Sequence, residues 1–218
     1  KFKKNLEYYL NQQQRLIEES NIDVHLNTEV TAGYAESLNV DVIIAALGAR
    51  PLKLKLPGID GKNVYSAQEA YLAPENTGQN VVILGAGLVG IELGLHLINL
   101  GKTVRIIEMT DHINDGGNFL HILGLKVEMK KQGLAVDYNT KAVEITDRSI
   151  ICETETGIKE FSADTVIYAV GQKPNRDDAL MLNFCAPEFY MIGDCTAPRN
   201  ITAATGEAYA VSRNLGRV

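Results

Sequence analysis

Apolar positions along the chain follow two different periods. Val81, Val82, Ile83 and Leu84 are continuously apolar, as in a strand buried on both faces of a parallel sheet. In the next stretch, "GIELGLHLINLG", Leu93, Leu97 and Leu100 recur at helical spacing, which predicts a helix with one buried face. Gly101 ends that helix and "KTVRIIE" reads as a second strand. Near the start, "LEYYLNQQQRLIEES" puts Leu6, Leu10 and Ile17 on one side of a helix, and "LKVEMKKQG" reads as another. Residues 141–166 hold short β-rich runs broken by "TDR" and "ETG", the pattern of an antiparallel meander. The stretch "LPGIDGKNVYSAQEAYLAPENTGQN" is rich in Pro, Gly and Asn and reads as a linker. The fold class expected from this order is α/β, Rossmann-like, in three layers. A parallel sheet carries helices on one side and the meander on the other.

Between the apolar strand and its helix lie Gly85, Ala86, Gly87, Leu88, Val89 and Gly90, a GxGxxG turn. Gly85 permits the tight exit from the strand, Gly87 lets backbone approach a pyrophosphate, and Gly90 lets the helix pack closely. The amides and macrodipole at the helix start favour the anion. The second strand ends in Glu108, about twenty residues beyond the glycines, where a carboxylate can accept hydrogen bonds from an adenosine ribose. A carboxylate there repels a 2′-phosphate, and Met109 and Thr110 supply no cation to neutralise one. NAD(H) is therefore expected over NADP(H). Glu92, in the helix's first turn, suits the dipole, with a place near the nicotinamide as the sharper reading.

The chain also repeats itself. "DVIIAALGARP" (residues 41–51) aligns with "DTVIYAVGQKP" (164–174), and "IDVHLNTEV" (22–30) aligns with "LAVDYNTKA" (134–142), Asn-Thr in register. All four stretches read as strands or strand ends. A repeat of this kind implies two copies of one plan. The strand, glycine turn, helix and strand that open the second copy have no counterpart in the first. The expected division is an NAD(H)-binding domain at 71–172, inserted in a partial second nucleotide domain made of 1–70 and 173–218.

Composition narrows the class. A net charge of −6 over 218 residues lacks the basic surface that a nucleic acid or an anionic membrane would need. No apolar run approaches the roughly 18 residues of a membrane span. The first residues, "KFKKNLEYYL", have neither a signal-peptide core nor an initiator Met, so Lys1 reads as a point inside a longer chain. Cys152, Cys185 and Cys195 form no CxxC pair; reduced thiols in a cytoplasmic protein are the simpler reading, a redox dithiol the other. His25, His96, His112 and His121 show no metal-ligand spacing.

The closing segment, "FYMIGDCTAPRNITAATGEAYAVSRNLG", predicts a short strand ending at Gly193-Asp194 and a helix from about Ile201. An Asp there can accept from a polyol, or cap the next turn. Together, "AALGARP", "AVGQKPN", "IGDC" and the glycine turn make the chain resemble the two-dinucleotide-binding flavoprotein oxidoreductases, in which an NAD(P) domain is inserted within an FAD domain. The wording "IGDCTAPRNITAAT" is most similar to the 2,4-dienoyl-CoA reductase and NADH:flavin oxidoreductase group. The resemblance implies Asp194 on the flavin ribityl chain with Gly193 allowing its approach, Ala46 and Gly48 at the FAD strand end, and Gly171 at the NAD strand end. It also implies a parent with an upstream FMN barrel and an iron–sulfur cluster. Two features depart from the family: no GxGxxG precedes Gly85, and the paired redox cysteines of disulfide-reducing relatives are missing.

The function expected is hydride transfer from NADH to FAD and on to a further redox centre, as part of an enoate or dienoyl reductase or an NADH oxidase. In isolation, NADH binding with little or no turnover is expected, and no catalytic acid, base or metal ligand is assigned. Two alternatives stay open: a nicotinamide dehydrogenase acting directly on a small substrate, and a non-enzymatic NADH-sensing domain.

Overall fold

The computed structural model describes residues 4–114 and 119–216. Its first third runs α1 (Lys4–Glu18), α2 (Ala32–Ser37), β1 (Val42–Ala45), β2 (Ala49–Pro51), β3 (Val64–Ser66) and α3 (Ala67–Leu72). Next come β4 (Asn80–Leu84), α4 (Leu88–Asn99), β5 (Thr103–Ile107), α5 (Phe119–Gln132) and β6 (Ala135–Asp137). A meander of β7 (Lys141–Ile145), β8 (Ser149–Thr154) and β9 (Gly157–Ser162) follows, then β10 (Thr165–Tyr168) and β11 (Gln172–Pro174). The chain closes with α6 (Arg176–Leu180), β12 (Glu188–Met191) and α7 (Ile201–Asn214).

A parallel sheet in the order β3-β10-β4-β5-β6 forms the centre. The apolar run of β4 explains why it can be central, since successive side chains point to opposite faces. Val81 and Ile83 pack under α3, α4 and α5 with Ile91, Leu95, Ile106 and Leu125. Val82 and Leu84 face the meander, packing with Ile145, Ile150, Cys152 and Phe161. A side chain such as Ile83, with no exposed surface, contributes about 1.5–3 kcal/mol by burial. The three-layer expectation holds. Leu93 and Leu97 are buried as expected, but Leu100 caps the helix end and is half-exposed. Burial on α4 instead reaches almost all round, through Gly90, Ile91, Gly94 and Leu95, because α3, α5 and the sheet all pack on it.

The stretch read as a linker contains an ordered piece. Ser66 and Glu69 close a capping box at the start of α3: the Glu69 amide donates to Ser66 Oγ (3.2 Å), and the Ser66 amide donates to Glu69 Oε2 (2.7 Å). Such reciprocal bonds satisfy two orphan amides and fix the helix start. They also hold β3 at the sheet edge, so the sheet takes in elements that precede residue 71.

The repeat is visible in the backbone. β1 and β10 occupy the same positions of the aligned segments, as do β2 and β11. Asn27 and Asn139, aligned in register, both adopt left-handed conformations (φ 54° and 48°), and so do Gly48 and Gly171 (φ 67° and 119°). β2 and β11 pair antiparallel with each other, Ala49 opposite Pro174, so the two copies are joined through their equivalent ends. Residues 22–30 depart from expectation. They form no strand, and Ile22, Val24, Leu26 and Val30 are exposed. An isolated extended segment needs a ladder partner, and none of the described residues supplies one. Leu6, Leu10 and Ile17 of α1 are likewise exposed rather than covered.

β1 and β12 form a second, parallel pair. Ala35, Ala45, Ala179, Leu182 and Cys195 pack around it. Among the described residues, no helix is long and apolar enough to cross a membrane.

Candidate functional site

The glycine turn links β4 to α4, and its three glycines do different work. Gly85 has φ +104°, and a Cβ there would sit 2.6 Å from the Ala169 carbonyl oxygen; glycine is required on both counts. A Cβ on Gly90 would lie 2.1 Å from the Gly85 carbonyl oxygen, so the first turn of α4 rests directly on the turn before it. The same Cβ would lie 3.5 Å from Ala169 Cβ at the end of β10, so Gly90 lets α4 sit close to both the turn and the sheet end. Gly87 differs: its φ of −77° suits any residue, and among the described residues nothing lies within 4 Å of a Cβ built on it. Its role concerns what approaches from outside. Gly87 has no side chain to cap α4, and its backbone forms an isolated parallel bridge with Asn114; the amides of the first turn that this bridge leaves over are those an anion would meet.

That open side faces a cavity of about 1020 Å³ at the carboxyl ends of the parallel strands. One wall is the turn itself, with Gly85, Gly87, Leu88 and Val89. A second is the end of β5, Ile107 to Thr110, together with His112 and Thr140 to Ala142. A third comprises Tyr168 to Gln172, including Gly171, and Pro51, Leu54, Lys55 and Leu56 complete it with Tyr71 and Leu72 of α3. Strand carboxyl ends are where open α/β sheets bind ligands. The dimensions and mixed lining suit an extended polar molecule with flat apolar parts.

Glu108 joins the turn to the second wall. Its Oε2 accepts from the Ala86 amide (2.7 Å), and its Oε1 accepts from the Thr110 amide and hydroxyl, both at 2.9 Å. Backbone bonds from Glu108 to Asp137 (2.9 Å), from Thr140 to Glu108 (2.9 Å) and from Asn139 to Thr110 (3.0 Å) fix this loop against the end of β6. Nearby, burial and the Glu108 charge push the Tyr138 hydroxyl up from its ordinary pKa.

Glu92 is not part of the cavity lining. It turns toward α5, where His121 Nε2 lies 2.7 Å from its carboxylate. A place beside the nicotinamide gains no support from that orientation. Tyr71, stacked on His96 at 5.7 Å between ring centres, has its hydroxyl pushed strongly up, first by burial and then by the Glu92 charge.

The remaining expected residues gather elsewhere. Because β1 and β12 are parallel neighbours, Ala46, just past β1, lies at the same sheet end as Gly193 and Asp194. Gly193 takes φ +68°, and its amide donates to Glu207 Oε2 at 2.6 Å. Asp194 Oδ1 accepts from the Arg199 amide (3.2 Å) in the loop before α7, while α7 is capped by Asn200, whose side chain accepts from the Ala203 amide at 2.9 Å. Gly48 turns the chain from β1 into β2, its carbonyl accepting from the Asn175 amide at 3.1 Å. Among the described residues no cluster of His, Cys, Asp or Glu could hold a metal ion.

The sequence reading missed Tyr71, Tyr168, Thr110, Lys141 and His112 as cavity residues. A signal existed for two of them. Tyr168 ends the strand beside β4, and the Ser66–Glu69 capping box locates the helix that carries Tyr71.

The family model described as pyridine nucleotide-disulphide oxidoreductase matches residues 1–208. Cinnamate reductase of Clostridium sporogenes is 29% identical over 206 residues, 92% of this chain and 30% of that protein. Bilirubin reductase of Mediterraneibacter gnavus is 27% identical over 200 residues, 91% of this chain and 31% of that protein. A solved structure of 2-naphthoyl-CoA reductase with 2-naphthoyl-CoA superposes with a TM-score of 0.83 at 30% identity, over 94% of this chain and 31% of that one. The chain thus spans about 30% of the length of these relatives.

Proposed function

Because the chain belongs to the pyridine nucleotide-disulphide oxidoreductase family, we propose that its 1020 Å³ cavity binds NADH for hydride delivery to a flavin. Oxidoreduction with NAD(P)H and flavin is the chemistry of that family. The observation that carries the finer reading is the Gly87 surface, open among the described residues where a Cβ would stand, beside a strand-end carboxylate.

The residues present fit the dinucleotide. The 85–90 turn and the start of α4 take the diphosphate, and Glu108 takes the adenosine diol while repelling a 2′-phosphate. Tyr168, Val170 and Leu54 line the cavity and keep water from the reactive end. When bound, the nicotinamide supplies a hydride and the flavin accepts it; the protein contributes placement and electrostatics. No side chain acts as a nucleophile.

For FAD, the resemblance assigns Asp194, Gly193, Ala46 and Gly48, which the β1–β12 pair brings to one sheet end. In this reading 71–172, extended back to 64 to take in β3 and α3, carries the nicotinamide half, and 1–63 with 173–218 carries part of the flavin half. Similarity to cinnamate, bilirubin and 2-naphthoyl-CoA reductases supports a whole protein that reduces an unsaturated substrate through further redox centres. FMN and an iron–sulfur cluster would then lie in other domains of the parent chain.

The test is a parallel titration of the 218-residue chain with NADH and NADPH, followed by nicotinamide fluorescence. The reading expects saturable binding of NADH and weaker binding of NADPH. Equal affinity would remove Glu108 as the ribose ligand, and no binding at millimolar NADH would remove the site.

A further inference from the structure

Glu108 already accepts three hydrogen bonds within the chain. A carboxylate offers about four lone-pair positions, two on each oxygen. Oε1 accepts twice, from the Thr110 amide and the Thr110 hydroxyl, both at 2.9 Å. Oε2 accepts once, from the Ala86 amide at 2.7 Å. One position therefore stands open, on Oε2. A ribose diol that grips both carboxylate oxygens needs two, one on each.

The three donors already present differ in how readily they leave. Ala86 has no exposed surface, and releasing its amide strands a buried donor. The Thr110 amide is held by the same residue's carbonyl, which accepts from the Asn139 amide at 3.0 Å. The Thr110 hydroxyl has somewhere else to go. Its single hydrogen also reaches the His112 carbonyl oxygen at 3.0 Å, and a hydroxyl rotates to suit its partners.

We infer that the Thr110 hydroxyl is an internal competitor for the adenosine ribose. It occupies the Oε1 position that the diol needs, and turns to the His112 carbonyl when a dinucleotide with both ribose hydroxyls binds. Thr110 is in this sense an affinity-setting residue of the adenosine subsite. The inference rests on the reading of the cavity as the NADH site. It predicts that a ligand needing only one acceptor position does not feel the competition.

The experiment crosses two variants of the chain with two ligands. Thr110→Val removes the hydroxyl and keeps the branched shape at an exposed position; Thr110→Ser keeps the hydroxyl. Each is titrated with NADH and with its 2′-deoxyadenosine analogue. Thr110→Val should lower the Kd for NADH roughly two- to tenfold, the worth of one net hydrogen bond, and leave the Kd for the analogue unchanged. Thr110→Ser should match the parent with both ligands. A merely structural role would move both ligands together. An equal shift for the two, or an unchanged or weaker affinity of Thr110→Val for NADH, overturns the inference while the NADH site stands. Absence of NADH binding to the parent chain overturns both.

Discussion

Alanine at Gly90 and alanine at Gly87 should separate folding from ligand binding within one turn. At position 90 the added Cβ would stand 2.1 Å from the Gly85 carbonyl oxygen, against about 3.3 Å for a close carbon–oxygen contact. The start of α4 must then move by about 1 Å, and overpacking of this kind costs about 1–3 kcal/mol. The gain in helix propensity from glycine to alanine offsets up to about 1 kcal/mol. A net loss near 2 kcal/mol corresponds to a Tm lower by about 4–8 °C for a protein of this length. At position 87 the backbone (φ −77°, ψ 175°) accepts alanine, and the methyl meets no atom of the described residues within 4 Å. Stability should stay within about 0.5 kcal/mol. The methyl would instead stand between the turn amides and a diphosphate. Loss of one charge-assisted bond, about 1.5–3 kcal/mol, weakens NADH binding roughly ten- to a hundredfold. Thermal unfolding and NADH titration of both variants check this. A Gly87→Ala chain that melts like Gly90→Ala, or that binds NADH undiminished, refutes the division of labour.

Three further outcomes are expected. Glu108→Ala combined with Met109→Arg should shift preference toward NADPH in paired titrations, and Glu108→Ala alone should cost about 1–3 kcal/mol of stability by stranding the buried Ala86 amide. The capping box depresses the Glu69 pKa below its ordinary 4.5, chiefly through the Ser66 amide. Its stabilisation is therefore present above that value and lost as pH falls through the folded-state pKa. Urea melts at falling pH should show Glu69→Gln with the shallower acid loss. Burial pushes the Cys152 thiol up to about 11, and Cys195 is also buried while Cys185 is partly exposed. Brief alkylation of the native chain, read by mass spectrometry, should label Cys185 first; prompt labelling of Cys152 or Cys195 would contradict the packing described.

What the sequence disclosed was what depends on local pattern. Four apolar residues before a glycine turn announce a strand buried on both faces, and β4 lies at the sheet centre for that reason. The aligned Asn27 and Asn139, and Gly48 and Gly171, were visible as letters; their shared left-handed backbone explains why those letters recur. Features that depend on partners were not legible. Residues 22–30 carry strand-forming side chains, yet a strand exists only where another backbone pairs with it. Leu100 keeps the helical spacing of Leu93 and Leu97 but falls at the cap, beyond the packed face. Glu92 reads as a first-turn carboxylate that suits the dipole or stands near the nicotinamide; α4 starts at Leu88, which puts Glu92 past the first turn, and only the packing of α4 on α5 reveals His121 beside it. The α3 helix lay hidden because Pro, Gly and Asn on either side outweighed one Ser-x-x-Glu signature.

The most direct measurement is a crystal structure of the chain grown with NADH. The account predicts the diphosphate on the amides of the first turn of α4, the adenosine diol on Glu108, and the Thr110 hydroxyl turned to the His112 carbonyl. Nucleotide bound away from Gly87, or a cavity filled by rearranged side chains at saturating NADH, would contradict it.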